Sequence, residues 1–217
     1  MVYTRCMIKT LAKILGGENK VKVMRLFLMN PETPFDVAEA ASKLKISPSS
    51  TRQEINNLLA SGMIKKKSYS KEIKTKRGTR RKQTNGFILN INFPILEEIR
   101  ALLVESELLD KNSLTDRFSK SGVLRFIAIS GVLIGEDKSR MDALFVIDKI
   151  DEKKFRKSMT DLEAEIGKEL TYAVFDTEEF LYRTQMFDKL IWDMFDFPHE
   201  VTLDKKQFST MFIRSRR

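Results

Sequence analysis

The run VAEAASKLKISPSSTRQEINNLLASGMI, residues 37–64, decides the fold of the first half of the chain. Within it, Val37, Ala41 and Leu44 recur at spacings of four and three. That spacing places the three side chains on one stripe of a helix, which we expect to begin at about Pro34 and to face a core.

A second helix is predicted over residues 48–61, and its two faces differ in chemistry. Ser47 is placed to cap this helix, and Gly62 follows its end, where a left-handed residue is favoured. The apolar positions are Ile55, Leu58 and Leu59. The opposite face carries side chains that can hydrogen-bond base edges in the major groove, namely Ser49, Ser50, Arg52, Gln53 and Asn56.

After Gly62 the pattern predicts two strands, residues 63–73 and 86–91, which pair around an insert over residues 74–85. The insert is cationic and contains no acid, and Lys65 to Lys67 line the approach to it. Its basic residues are Lys74, Lys76, Arg77, Arg80, Arg81 and Lys82. Most basic runs are solvated loops, but directly after a helix of this kind we expect contact with DNA phosphates or the minor groove.

The succession of a helix, the residues I-S-P-S-S-T, a second helix and G-M-I resembles the winged helix-turn-helix regulators. The resemblance implies sequence-specific binding of double-stranded DNA by a transcription regulator, with the insert as the wing. Operators read by this fold are commonly two half-sites, so it also implies a homodimer. A further helix, predicted over residues 93–105, either links the two halves or pairs with a second subunit.

The distribution of charge divides the 217 residues into two parts, although the net charge of the whole chain is +9. Residues 1–100 hold 20 Lys and Arg against 8 Asp and Glu, whereas residues 101–217 hold 19 against 22. We therefore expect a DNA-binding domain over residues 1–106 and a second domain over residues 107–217, of which only the first is built to meet a polyanion.

The composition also excludes several classes of protein. No stretch approaches the roughly 20 apolar residues of a membrane span, and residues 1–15 predict an amphipathic helix rather than a targeting segment. A single cysteine, Cys6, suits the reducing cytoplasm. With His199 as the single histidine, neither a metal centre nor a cofactor is expected, and His199 itself is expected to start an edge strand at the surface.

In the second half, short apolar runs predict strands over residues 124–130, 141–148 and 169–175. An amphipathic helix is predicted over residues 151–166, and one or two more helices over residues 177–196. This order of elements predicts a small α/β domain with a mixed sheet, so that the whole chain is α+β.

The run SGVLIGEDKSRMDALFVID resembles the nucleotide-binding signature of the minimal nucleotidyltransferases of the DNA polymerase beta superfamily. The residues that carry the resemblance are Ser130, Gly131, Gly135, Ser139, Arg140 and Asp142. The family pattern has Gly-Ser where this chain has Ser130-Gly131, and an aspartate where it has Arg140. The position of the third carboxylate in the family pattern corresponds to about Thr171, which is not an acid. Because two-metal chemistry needs paired carboxylates, the resemblance implies a vestigial, non-catalytic site.

Three roles for the second domain remain open from the sequence. It serves as a body for dimerisation or partner docking, or Arg140 contacts the phosphate of a nucleotide or another anionic effector. The alternative of a different class is a nucleotidyltransferase that acts on a protein or nucleic-acid acceptor and is guided by its winged helix.

Overall fold

The computed structural model describes residues 10–75, 78–105, 111–136 and 139–214. Within these ranges the chain forms two compact units. The first contains Cys6–Ser106 together with Glu163–Lys168, and the second contains Glu107–Leu162 and Glu169–Arg217. Helices and two small sheets make the fold α+β, as the sequence predicts.

The first unit consists of helices followed by a long hairpin. Residues 10–15 are helical, and the rest of the predicted N-terminal helix lies outside the described residues. The elements that follow are α1 (Glu18–Met29), α2 (Val37–Leu44), α3 (Pro48–Ser61), β1 (Ile64–Thr75), β2 (Gly78–Leu89), α4 (Leu96–Arg100) and a π-helical turn, Ala101–Glu105. The helix predicted over residues 93–105 is thus a short helix and a π-helical turn.

The core of this unit lies between the three helices and the base of the hairpin. It buries Phe27 of α1, Leu44 of α2 and Ile55 of α3 against Ile64 and Leu89 at the first pair of the two strands. The stripe predicted for α2 is confirmed, because Ala41 and Leu44 are buried and Val37 packs against the same core. Burial of these apolar faces, rather than helix propensity, holds the short helices in place.

The expectation that α2 begins at about Pro34 is wrong. The helix begins at Val37, because the Asp36 carboxylate accepts a hydrogen bond from the Glu39 backbone N–H (2.8 Å) and Glu39 reaches back to the Asp36 N–H. This capping box leaves Phe35 extended, and Phe35 exchanges two backbone hydrogen bonds of 2.9 Å with Phe87 of β2. The spacing of Asp36 and Glu39 is a helix-start signal present in the sequence.

The prediction of a loop over residues 74–85 is also wrong. The hairpin strands continue in register from Ile64↔Leu89 to Thr75↔Gly78, so residues 78–85 belong to β2. Most of this two-stranded ribbon, the β1–β2 hairpin, extends beyond the core, and both of its faces are largely polar. The alternation of apolar and polar residues that marks a half-buried strand is therefore missing, although the backbone pairing is complete.

The second unit is a four-stranded sheet with helices on both faces. Its elements are α5 (Lys111–Phe118), a 3₁₀ turn (Ser119–Ser121), β3 (Val123–Ser130), a 3₁₀ turn (Gly131–Ile134), β4 (Ala143–Asp148), α6 (Glu152–Ile166), β5 (Tyr172–Phe175), α7 (Thr177–Gln185), α8 (Lys189–Asp196), β6 (His199–Asp204) and α9 (Thr210–Arg214). The last residues of α6 belong to the first unit.

The sheet of the second unit is mixed, as the sequence predicts. Its strand order is β5-β4-β3-β6, with β5 parallel to β4 and the other two pairs antiparallel. On one face Phe145 packs against Phe155 of α6, and on the other Phe126 stacks on Phe180 of α7. His199 begins the edge strand β6, as expected. In the part of the chain that is described, no helix has both the length and the apolar character needed to cross a membrane.

Candidate nucleic-acid interface

Helix α3 presents a polar face to solvent, and its opposite face is buried in the first unit. Ser47 caps the helix by accepting a hydrogen bond from the Ser50 N–H (3.2 Å), and Gly62 ends it in the left-handed region. Thr51, Ile55 and Leu58 are buried, and the Thr51 hydroxyl donates to the Ser47 carbonyl (3.0 Å). These contacts fix the rotation of the helix, and so determine which side chains face water.

The structure leaves most of the predicted base-reading residues open to solvent. Those that are exposed are Ser49, Arg52, Gln53 and Asn56. Ser50 is only half-buried and accepts a hydrogen bond from the Ser47 hydroxyl (2.9 Å), so it belongs to the helix cap rather than to the open face. Asn57 was not among the predicted residues; it is exposed beside Asn56, and its amide donates to Glu54 (3.1 Å).

The register of the hairpin sorts its basic residues between two faces, because successive side chains of a strand point to opposite sides. Directly opposed residues share a face, and Lys71 lies opposite Lys82. One face therefore carries the exposed residues Lys65, Lys67, Arg80 and Lys82. The other carries Lys66 and Arg81. Lys76, Arg77 and the side chain of Lys74 lie outside what the structure describes.

The electrostatic surroundings of the two faces differ. Arg81 forms an exposed ion pair with Glu72 (3.4 Å), the one acid in the sequences of the two strands. Within the described residues, Lys65, Lys67, Arg80 and Lys82 form no ion pair, and their charges are available to an external anion.

Lys71 differs from the other cations of the hairpin because it is held inside the unit. Its ammonium group lies 2.8 Å from the Asp36 carboxylate and 2.7 Å from that of Glu39, and the Tyr69 hydroxyl donates a hydrogen bond to Glu39. We call these four residues the hairpin latch, since they join the middle of the ribbon to the first turn of α2.

The latch shifts the ionisation of its members. Partial burial opposes ionisation of Asp36 and Glu39, but the hydrogen bonds from Lys71 and from backbone N–H groups, with that from Tyr69 to Glu39, together outweigh it and lower both pKa values. Desolvation alone would lower the pKa of Lys71, yet its bonds to the two carboxylates raise it. All three groups are therefore charged at neutral pH.

Gly86 makes the latch possible by its lack of a side chain. A Cβ atom at this position would lie 2.7 Å from the Phe35 carbonyl oxygen and 2.7 Å from Cε1 of Tyr69. The Tyr69 ring thus crosses the ribbon over Gly86 to reach Glu39. No local pattern in the sequence marks Tyr69, Lys71 and Gly86 as a group, because their partners Phe35, Asp36 and Glu39 lie at least 30 residues earlier in the chain.

In the second unit, the predicted site residues between Ser130 and Asp142 lie near the turn that follows β3, and Asp142 binds that turn. The Asp142 carboxylate is buried, and its two oxygens accept hydrogen bonds from the backbone N–H groups of Val132 and Thr171, each at 2.8 Å. Gly131 has a φ of 55°, and a Cβ there would lie 2.3 Å from Oδ1 of Asp142. Asp142 thus holds the turn between β3 and β4 against the chain before β5.

The polar side chains of the same signature are also bonded within the unit. Ser130 donates to the Pro198 carbonyl (2.6 Å), and Ser139 to the Met141 carbonyl (2.8 Å). Gly135 ends the 3₁₀ turn in the left-handed region. Arg140 is exposed and donates to Asp193 of α8 (3.1 Å). Over the described ranges, no group of three or more His, Cys, Asp and Glu side chains is arranged to hold a metal ion.

Comparison of the chain with known protein families, with curated proteins and with solved structures finds no match. Its polar helix face, its cationic hairpin and the bonded aspartate of the second unit are therefore interpreted from their own geometry.

Proposed function

We propose that this chain binds double-stranded DNA through α3 and the β1–β2 hairpin, as a winged helix-turn-helix transcription regulator. The observation that carries the proposal is the exposed face of α3. Arg52, Gln53 and Asn56 project from a helix whose opposite side is buried in the core. Arg, Gln and Asn are the side chains that pair with guanine and adenine in the major groove, which is wide enough to admit a helix.

The order of elements in the first unit supports the same proposal. Three helices are followed by a hairpin, and Phe35, between α1 and α2, adds a bridge to the outer edge of β2. In such an arrangement α3 is the recognition helix and the hairpin is the wing. The positive balance of residues 1–100 supplies the sequence-independent attraction to phosphates.

For the second unit we propose a non-catalytic accessory role, as a body for dimerisation or partner docking. Because both oxygens of Asp142 are bound to backbone amides, its carboxylate is not presented to a metal ion or a triphosphate. These bonds favour neither nucleotidyl transfer nor the sensing of an anion at this turn. We propose a homodimer because one small DNA-binding domain contacts a single half-site, and a dimer gains affinity by binding two half-sites.

The test is selection of bound fragments from a pool of random duplexes, followed by titration of the enriched duplex and a scrambled one. A good base contact contributes about 1–3 kcal/mol, so Arg52→Ala or Gln53→Ala should weaken the enriched site by roughly 5- to 150-fold. Binding to the scrambled duplex should change far less.

The matched control is Lys153→Ala, which removes one exposed cation of α6 in the second unit. It should leave both affinities near those of the wild type. Failure to enrich any sequence, or equal loss of both affinities in Arg52→Ala and Gln53→Ala, would refute sequence-specific reading by α3.

A further inference from the structure

The two faces of the hairpin are chemically unequal, and this inequality bears on how the ribbon meets DNA. Lys65, Lys67, Arg80 and Lys82 share one face. Tyr69 and Thr84 lie on that face between Lys65 and Lys67 at one end and Arg80 and Lys82 at the other, and Lys71 lies directly opposite Lys82. Tyr69 and Lys71 belong to the hairpin latch. We call the four exposed cations the cationic row.

We propose that the cationic row lies along the phosphates of the duplex, and that the opposite face of the hairpin points away from them. The inference rests on the proposed function and adds to it the orientation of the ribbon and the residues that make the contacts. It separates Lys65 and Lys67, which contact phosphates, from Lys66 and Arg81, which do not.

Charge decides between the two faces. No acid of β1 or β2 lies on the face of the cationic row, because Glu72 points to the other side. The carboxylates that reach the row's face from α2, Asp36 and Glu39, are both bound by Lys71. A polyanion brought to this face therefore meets four cations and a latch in which two carboxylates and one ammonium leave a net charge of −1.

The opposite face offers much less to a phosphate backbone. Arg81 is paired with Glu72, which leaves Lys66 as the unpaired cation whose side chain the structure describes there. Its other described polar side chains are uncharged, and Ser68 donates a hydrogen bond to Asn85 across the strands (2.7 Å). This face has the composition of a solvated surface rather than that of a surface that binds the DNA phosphates.

The length of the cationic row matches the dimensions of DNA. Arg80 lies opposite Ile73, so eight residues separate its place on the ribbon from that of Lys65. At about 3.4 Å per residue the row extends roughly 27 Å. The major and minor grooves are about 12 and 6 Å wide, so the two ends of the row can reach phosphates on both sides of a groove.

The experiment compares two double variants of the full-length chain in a salt series with a random-sequence duplex. Lys67→Gln with Lys82→Gln removes two charges from the row. Lys66→Gln with Arg81→Gln removes two charges from the neighbouring positions of the same strands, on the opposite face. The two proteins have equal net charge, and all four side chains are exposed.

Each lost phosphate contact reduces the magnitude of the negative slope of log K against log salt by about 0.9. The slope of the first variant should therefore be smaller in magnitude than that of the wild type by about 1.8. The second should keep nearly the wild-type slope, even though it leaves Glu72 without its partner. Equal losses in the two variants, or a larger loss in the second, would overturn the orientation while leaving DNA binding intact. A wild-type chain that binds no duplex would overturn the proposed function and the orientation together.

Discussion

Replacing Lys71 with methionine removes the cation that Asp36 and Glu39 share in the hairpin latch. The methionine keeps the length of the apolar stem, so the change is mainly one of charge. Two carboxylates that were each within 3 Å of an ammonium group then lie near each other with only the Tyr69 hydroxyl as a side-chain donor. We expect the outer part of the ribbon to detach more often from α2.

The magnitude follows from the exposure of the groups. The Lys71, Asp36 and Glu39 side chains are 28%, 18% and 26% exposed, which lies between a surface ion pair and a buried one. Exposed pairs contribute about 0.2–1 kcal/mol, and breaking a buried pair costs about 3–5 kcal/mol. Because Lys71 makes two partly exposed bonds, we expect Lys71→Met to lower the free energy of local opening of the hairpin by about 1–2 kcal/mol. This corresponds to roughly a 5- to 30-fold loss of protection against hydrogen exchange.

Amide hydrogen exchange across residues 64–89 of the full-length chain measures this opening directly, because it reports the hairpin separately from the second unit. The matched control is Lys66→Met, which removes an exposed cation of the same strand that has no ion pair in the described structure. It should leave the exchange pattern unchanged.

The effect should also depend on pH. The pKa values of Asp36 and Glu39 are lowered in the folded state. The two carboxylates therefore contribute fully to the stability of the hairpin latch above their unfolded pKa values of about 4. This contribution is lost as the pH falls through the lower folded values. The difference between wild type and Lys71→Met should therefore be largest near pH 7 and shrink toward about pH 3. Equal protection in the two proteins at neutral pH would refute the reasoning.

Three further outcomes are expected. Asp142→Asn should destabilise the second unit by about 1–3 kcal/mol, read by the fluorescence of the single tryptophan during urea unfolding, because an amide nitrogen cannot accept from a backbone N–H. Gly167→Ala should increase hydrogen exchange in α1, since its Cβ would lie 2.7 Å from the α1 backbone, whereas Gly135→Ala, with a similar φ and open space, should leave α1 unchanged. Arg125→Met should cost about 1 kcal/mol near pH 7 in the tryptophan-monitored unfolding, because burial opposes ionisation of Asp148 but bonds from Arg125 and Thr177 bring its pKa to about 2. That cost should be constant above about pH 4 and fade toward pH 2, and an unchanged cost at pH 2 would contradict it.

Much of the first unit follows from signals that act within one or two helical turns. Ser47 and Gly62 mark the ends of α3 in the sequence, and the structure places the helix between them. The buried positions Ile55 and Leu58 follow from periodicity alone. The order of β3, β4, α6 and β5 and the helices that follow in the second unit was likewise predictable, because each of these runs is apolar or amphipathic over its own length. Helices α5 and α9 were not predicted.

The roles of individual charged residues were decided by the tertiary structure. Lys71 and Lys67 are both lysines of one basic strand, yet Lys71 is bound to Asp36, 35 residues away, and Lys67 is open to solvent.

The same holds for Asp142, which resembles a catalytic aspartate in the sequence and is held by the amides of Val132 and Thr171, 10 and 29 residues away. Periodicity and caps depend on neighbours along the chain and are therefore encoded locally. The partner of a charge depends instead on strand register and on the path by which distant segments return to it, and these exist only in the folded chain.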